Sequence, residues 1–230
     1  MKKSILILPI VAFLGAGLIP LQQFLAPQWI MQVSTHASIN QMATYQTMAL
    51  SLVIGLLLVI RSMFPDAFQR YWNKGNMAAP AKAVKILGIR ADESWRSVGM
   101  GFLIVVTLAT ATFMWFGFYQ KMAVSWVAAA PWVLIFALSN AFIEEMLFRF
   151  SLVVALDGIW SQKAICWSSA AIFGCIHFFG TPGGILGMLM AGFLGWLLTK
   201  SMVETKGIGW ALLIHFVQDV VILFALVAVN

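Results

Sequence analysis

Charge is what this sequence has least of. Eight Asp or Glu and fourteen Lys or Arg make up 10% of its 230 residues, whereas a soluble domain carries about 25%. Apolar residues fill 62%, and mean hydropathy is +0.93. That composition argues against a soluble fold and excludes a disordered tail. Cysteine is equally scarce, with only Cys166 and Cys175. On one helix their separation puts them on opposite faces about 13 Å apart, too far to bridge. A disulfide scaffold is therefore excluded, and both are expected as small buried apolar residues. The formal charge of +6 comes from basic residues too few and too scattered to track a phosphate backbone. No nucleic acid partner is expected. What remains is an all-α, polytopic membrane bundle.

The uncharged runs set its spans. No Lys, Arg, Asp or Glu occurs in residues 4–60, 97–120, 122–143 or 164–199. A helix crosses the hydrocarbon in about 20 residues. The first run holds two spans around the polar interval 22–44, and the last holds two around the turn Thr181-Pro182-Gly183-Gly184. Seven helices are predicted: 4–21, 45–64, 97–118, 127–156, 163–180, 184–200 and 207–229. The fourth exceeds a minimal span, which suits a tilted helix. The first has a signal-peptide look, Lys2-Lys3 before an apolar run, and is expected to be retained.

Orientation follows from the basic residues. With the N-terminus in the cytoplasm, Lys2, Lys3, Arg61, Arg70, Lys74, Lys82, Lys85, Arg90, Arg96, Lys163, Lys200 and Lys206 all fall inside. Lys121 alone lies outside, and Arg149 lies within a helix. This is the bias that orients membrane proteins, and sharing one side requires an even number of spans between basic loops. Residues 65–96 read as a cytoplasmic, partly interfacial linker with a short amphipathic helix. The expected location is a bacterial inner or plasma membrane, crossed several times.

Inside the spans the ionisable residues are Glu144, Glu145, Arg149, His177, His215 and Asp219. A charge at the bilayer centre costs about 3 kcal/mol on insertion scales, so six on three helices need a reason. They pair to hold helices together, or they perform chemistry. Glu145 and Arg149 stand four apart and share a face. Glu144 is turned about 100° from Glu145, which lets it face a cavity. His215 and Asp219 repeat the interval on the seventh helix, Phe173 and His177 on the fifth. Rise per residue places Glu144, His177, His215 and Asp219 at compatible depths, in the inner-to-middle membrane. Two His and up to three carboxylates are also a possible zinc donor set with a water in the fourth position. No His-Glu-x-x-His helix exists, which excludes a thermolysin-type site. No Ser has a His at helical spacing, so a serine nucleophile is unsupported.

The three motifs together, Glu-Glu-x-x-x-Arg (Glu144, Glu145, Arg149), Phe-x-x-x-His (Phe173, His177) and His-x-x-x-Asp (His215, Asp219), carry a resemblance. Over about 120–229 the chain resembles the CPBP family, also called the CAAX-protease and bacteriocin-processing or Abi family of intramembrane proteases. That family's third motif ends in Asn or Asp. The resemblance implies a division into 1–96, a two-helix region with the basic linker, and 97–230, a catalytic membrane core. It implies an endopeptidase acting on a peptide or membrane-protein segment that arrives from the cytoplasmic or lateral side. Glu144 and His177 would activate a water. Glu145 with Arg149 would organise the site, and His215 with Asp219 would orient substrate or stabilise the oxyanion. A donor aimed at a developing oxyanion in a dry site is worth about 3–4 kcal/mol. The family was first classed as metalloproteases and later assigned a metal-free, glutamate-dependent mechanism. No cofactor is the favoured expectation; zinc on Glu144, His177, His215 and Asp219 is the other.

Two further readings keep the same buried cluster. In a proton- or ion-coupled transporter these groups carry protons. In a membrane immunity factor or scaffold they only brace helices. Gly183, Gly187, Ala191 and Gly195 repeat every four residues on the sixth helix and are expected to pack it closely on its neighbours. The many Trp and Phe are expected mostly to face lipid or its interface.

Overall fold

The computed structural model describes residues 2–23, 29–118, 126–180 and 183–227. Lys121, Ser125 and the Thr181-Pro182 half of the predicted turn lie outside them. An apolar chain in lipid must satisfy its own backbone, and a helix does so within one segment. The described residues accordingly form helices, with two isolated bridges and no strand.

Helix α1 (Lys2–Ile5) continues after one turn residue into α2 (Ile7–Gln23), and α3 spans Ala37–Met63. A short α4 (Pro65–Tyr71) opens the linker, and α5 is Trp95–Phe118. Helix α6 (Trp126–Glu145) passes through a π-helical turn, Met146–Phe150, into α7 (Ser151–Leu156), making one long rod. Then come α8 (Gln162–His177), α9 (Gly184–Thr205) and α10 (Gly209–Val227). Each rod coincides with a predicted helix. The largest difference is at the start of α3, which begins eight residues before the expected 45, because its buried polar side chains are satisfied inside the protein: Asn40 and Thr44 accept from the backbone N–H groups of Val33, Ser34 and Met31, and Gln46 donates to the Phe136 carbonyl. Four described helices are long and apolar enough to cross a membrane: Ala37–Met63, Trp95–Gly117, Gly184–Thr205 and Gly209–Leu226. Their outward faces carry large apolar side chains, among them Leu58, Val105, Leu108, Phe116 and Leu189, as a lipid-facing surface requires.

The tightest packing joins α8 to α9, while α10 lies between α5 and α6. A Cβ on Gly174 would sit 2.8 Å from the Met188 carbonyl oxygen, and one on Gly195 would sit 3.3 Å from Ala170 Cα. Small residues thus bring these two backbones together. Only part of the predicted stripe does this. Gly192 and Gly195 face α8, whereas Gly187 and Ala191 line a cavity. The aromatic residues also divide differently from expectation. Phe148, Phe150 and Phe173 are fully buried in and beside the π-turn, and Trp95 is fully buried under the linker cap beside Lys200 and Glu204. Cys166 is buried, but Cys175 is exposed on the lipid side of α8.

The linker is an ordered cap on one end of the bundle. It crosses the α9–α10 turn glycine against glycine: a Cβ on Gly207 would sit 2.1 Å from the Gly75 nitrogen. Trp210 donates from Nε1 to the Met77 carbonyl at 2.9 Å, and Ile208 donates its N–H to Asn73 at 2.8 Å. Lys200 pairs with Glu204 and donates to the Lys82 carbonyl at 3.0 Å. Glu204 accepts in turn from Trp95 Nε1 at 2.8 Å and the Lys82 N–H at 3.1 Å. Nearby, Arg70 pairs with Asp157. Burial and the Asp157 charge push the Tyr71 phenol above its ordinary pKa. It therefore keeps its proton, donating to Asp157 at 3.0 Å and accepting from Lys206 at 2.8 Å.

Candidate active site

The opposite end of the bundle holds a cavity of about 840 Å³. Its walls come from the first turns of α3, the later turns of α5, the end of α8, the start of α9 and the second half of α10. The basic linker contributes nothing to it. Glu144 falls near the middle of the long α6–α7 rod, His177 is the last residue of α8, and His215 and Asp219 lie on the linker-side and middle turns of α10.

Glu144, His177, His215 and Asp219 all line this cavity. Three helices bring them there. Glu144 is the penultimate residue of α6, directly before the π-turn. Its neighbour Glu145 points the other way and is fully buried, as the 100° rotation requires. The π-turn closes with the Ser151 N–H on the Met146 carbonyl, five residues back. Such wide turns recur at functional sites. This one carries Arg149 inward, where it too is fully buried.

Arg149 Nη1 lies 3.5 Å from Glu145 Oε1. That is ion-pair reach without hydrogen-bond geometry: Nε, Nη1 and Nη2 of Arg149 and Oε2 of Glu145 have no hydrogen-bond partner. The guanidinium rests instead on the face of Phe173, 3.6 Å from the ring centroid, a desolvated cation–π contact. Phe173 therefore backs both sides of the site. It also stacks on His177 with centroids 4.1 Å apart.

His215 is the hub. Its Nδ1 lies 2.6 Å from Glu145 Oε1, while Nε2 faces Glu144 Oε2 at 3.4 Å and Asp219 Oδ1 at 3.7 Å. A carboxylate only accepts, so Nδ1 carries the proton toward Glu145. His177 Nδ1 lies 2.9 Å from the Phe173 carbonyl oxygen. By the same logic Nδ1 holds the proton, and Nε2 of the neutral ring keeps its lone pair. All six predicted ionisable residues and Phe173 thus belong to one cluster.

Three residues of the cluster were not anticipated. Asn140 donates from Nδ2 to Asp219 Oδ2 at 3.1 Å and Glu144 Oε1 at 3.3 Å. It precedes Glu144 by one helical turn, and an amide at that spacing in an uncharged helix was the available signal. Gln46 donates to the Phe136 carbonyl at 3.0 Å and joins Ser139, fastening α3 to α6 beside the cavity. Gln218 donates to Thr107 Oγ1 at 2.8 Å, tying α10 to α5.

The zinc donor set is not arranged as a metal site. Both nitrogens of His215 face carboxylates, His177 Nδ1 is spent on a carbonyl, and Asn140 amide protons occupy both Glu144 and Asp219. Among the described residues no three His, Cys, Asp or Glu side chains form a metal-holding group. As placed, these residues do not fit a zinc ion.

No curated protein and no solved structure matches the chain. Residues 125–221 match one family, the Rce1-like type II CAAX prenyl endopeptidases. The matched stretch contains all six ionisable residues of the cluster, with Phe173, Asn140 and Gln218. Over that stretch the chain is similar to the Rce1-like family, which is the CPBP family of proteases.

Proposed function

We propose that this protein is an intramembrane endopeptidase in which Glu144 and His177 activate a water held in the cavity. The observation that carries the reading is the convergence of Glu144, His177, His215 and Asp219, from three helices, on one cavity whose remaining wall mixes apolar side chains with uncharged polar ones such as Gln46, Asn140 and Gln218. Glu144 takes one proton from the water, while the O–H that remains donates a hydrogen bond to His177 Nε2, which aims the oxygen. The oxygen attacks the carbonyl carbon of the substrate amide. His215, which carries a proton on Nε2 toward the carboxylates it faces, donates to the developing oxyanion or orients the substrate, with Asp219 beside it. The C–N bond then breaks, and Glu144 passes its proton to the departing amine. Glu145 fixes the ring of His215, and Arg149 balances Glu145 from behind. No step uses a metal. Similarity to a peptidase family over residues 125–221 favours this reading over transport or passive bracing.

The proposal includes the topology. Seven rods cross the membrane, with the N-terminus and the basic linker in the cytoplasm. The mouth of the cavity then opens to the far side or laterally between helices. That differs from access through the cytoplasmic face, because the linker cap covers that end.

The test is cleavage of quenched apolar peptides by the full chain in proteoliposomes. Glu144→Gln and His177→Ala each lower turnover by about 10²–10⁴-fold, with unchanged expression and thermal unfolding. Normal processing by either variant would refute the assignment. Protein purified without chelators should carry no stoichiometric metal and should keep its activity in chelator.

A further inference from the structure

One wall of the cavity lies outside the matched stretch, on α3, and what it contributes rests on the peptidase reading and deepens it. Helix α3 packs directly on α6, the helix that carries Glu144. Ser38, Gln41 and Tyr45 recur at helical spacing on it and all line the cavity. Ser38 and Gln41 are exposed at the mouth, and Tyr45, one turn deeper, is half-buried. The amides around it are committed. Gln46 donates to the Phe136 carbonyl, Asn140 to Glu144 and Asp219, and Gln218 to Thr107. The Tyr45 hydroxyl has no hydrogen-bond partner among the described residues, and it feels the charge of Glu144. Thr110, the other uncommitted hydroxyl below the mouth, stands on α5, which α10 separates from α6.

A peptide opened for cleavage has given up its helical hydrogen bonds. Its freed N–H and C=O groups need partners in a cavity surrounded by lipid. Tyr45 stands next to Gln46, which holds Ser139, five residues before Glu144. Five residues of helix rise about 7.5 Å, which an extended chain covers in about two residues. We infer that Tyr45 is a contact for the substrate backbone: its hydroxyl hydrogen-bonds a peptide group of the bound segment about two residues from the cut, on the mouth side.

The probe is the apolar peptide of the turnover assay, dye-labelled and made as a set in which one amide at a time is replaced by an ester. An ester lacks the N–H and has a weaker carbonyl acceptor, so it removes the partner of the phenol without altering a side chain. Binding is measured on the full chain carrying His177→Ala, in zwitterionic phosphatidylcholine vesicles, with and without Tyr45→Phe. Tyr45→Phe should weaken binding of the all-amide peptide about fivefold, the worth of one hydrogen bond. With Tyr45 present, one ester about two residues from the cut should cost a similar factor. With Tyr45→Phe, that same ester should cost nothing further. A ring that merely packs would leave each ester equally costly in both chains. With His177 intact, Tyr45→Phe should raise KM about fivefold and lower kcat less. If the coupling at one ester appears in binding while the unaltered chain cuts none of the peptides, the contact stands and the peptidase reading falls. If Tyr45→Phe binds the all-amide peptide as tightly as its parent, if no ester costs less in it, or if no peptide binds, the inference is overturned.

Discussion

Two glutamates, each four residues from a cation on the same rod, are buried, one under the linker cap and one behind the cavity, and their surroundings differ. At the capped end Lys200 and Glu204 are each 6% exposed in their side chains, and hydrogen bonds from Lys82 and Trp95 complete the pair. At the cavity end Glu145 and Arg149 are wholly buried and under-bonded. A buried pair is weak evidence for stability in itself, because desolvation offsets the attraction. A fully bonded pair is what a structural clamp needs. The under-bonded pair has another use: it holds His215 by Nδ1 and leaves Nε2 facing the cavity.

Removing the cation at each end separates these roles. Arg149→Ala strands the Glu145 carboxylate and empties the space over Phe173. A loss of about 3–5 kcal/mol is expected from breaking such a pair, read as less folded protein and a lower unfolding temperature in detergent. Unchanged thermal stability would show that Arg149 is not balancing Glu145. The companion variant is Glu145→Leu with Arg149→Met. It should recover much of the fold, since an apolar pair of similar volume is often neutral. It should stay inactive, since His215 has lost its anchor.

At the capped end the expected effect is smaller. Lys200→Met leaves Glu204 with its Trp95 and Lys82 donors, so the carboxylate is not orphaned. About 2 kcal/mol is expected, near the cost of losing hydrogen bonds to a charged group. Turnover of the remaining folded protein should be unchanged, because nothing at this end reaches the cavity. A fall in kcat at full folding would break the contrast and would mean that the cap communicates with the site.

How much of this was legible in the sequence depended on the kind of signal. Uncharged runs marked every rod, because the bilayer imposes length and apolarity on each segment independently of its neighbours. Four-residue intervals identified Glu145–Arg149, Phe173–His177 and His215–Asp219, because partners on one helix are fixed by its period. Contacts between helices were not encoded that way. The hydrogen bonds of Asn140 to Asp219 and of His215 to Glu145 span 79 and 70 residues, and no periodicity announces them. The π-turn was invisible for a related reason. Nothing in Met-Leu-Phe-Arg-Phe distinguishes it from an α-helical turn, and only packing against α8 and α9 gives Arg149 its inward place. Gly187 and Ala191 were expected to pack on a neighbouring helix and line the cavity instead, because a stripe on one helix does not state which neighbour it meets.

Asn140 offers the finest test of the difference between the two ends, because it lies at the cavity but is not itself ionisable. Its amide spans Glu144 and Asp219, two like charges that would otherwise repel. Asn140→Ala removes that bridge without stranding a charge away from the cavity, so the unfolding temperature should move little. The carboxylates would then drift from the orientation in which one abstracts a proton and the other faces His215 Nε2. A drop of about tenfold in kcat is expected, equivalent to about 1.4 kcal/mol in the barrier, with KM nearly constant because the amide positions the acid groups rather than the peptide. Asn140→Gln, which keeps the amide on a longer arm, should recover part of the loss. If Asn140→Ala instead raised KM at constant kcat, the amide would be a substrate contact, and the polar floor of the cavity would begin one helical turn further along α6.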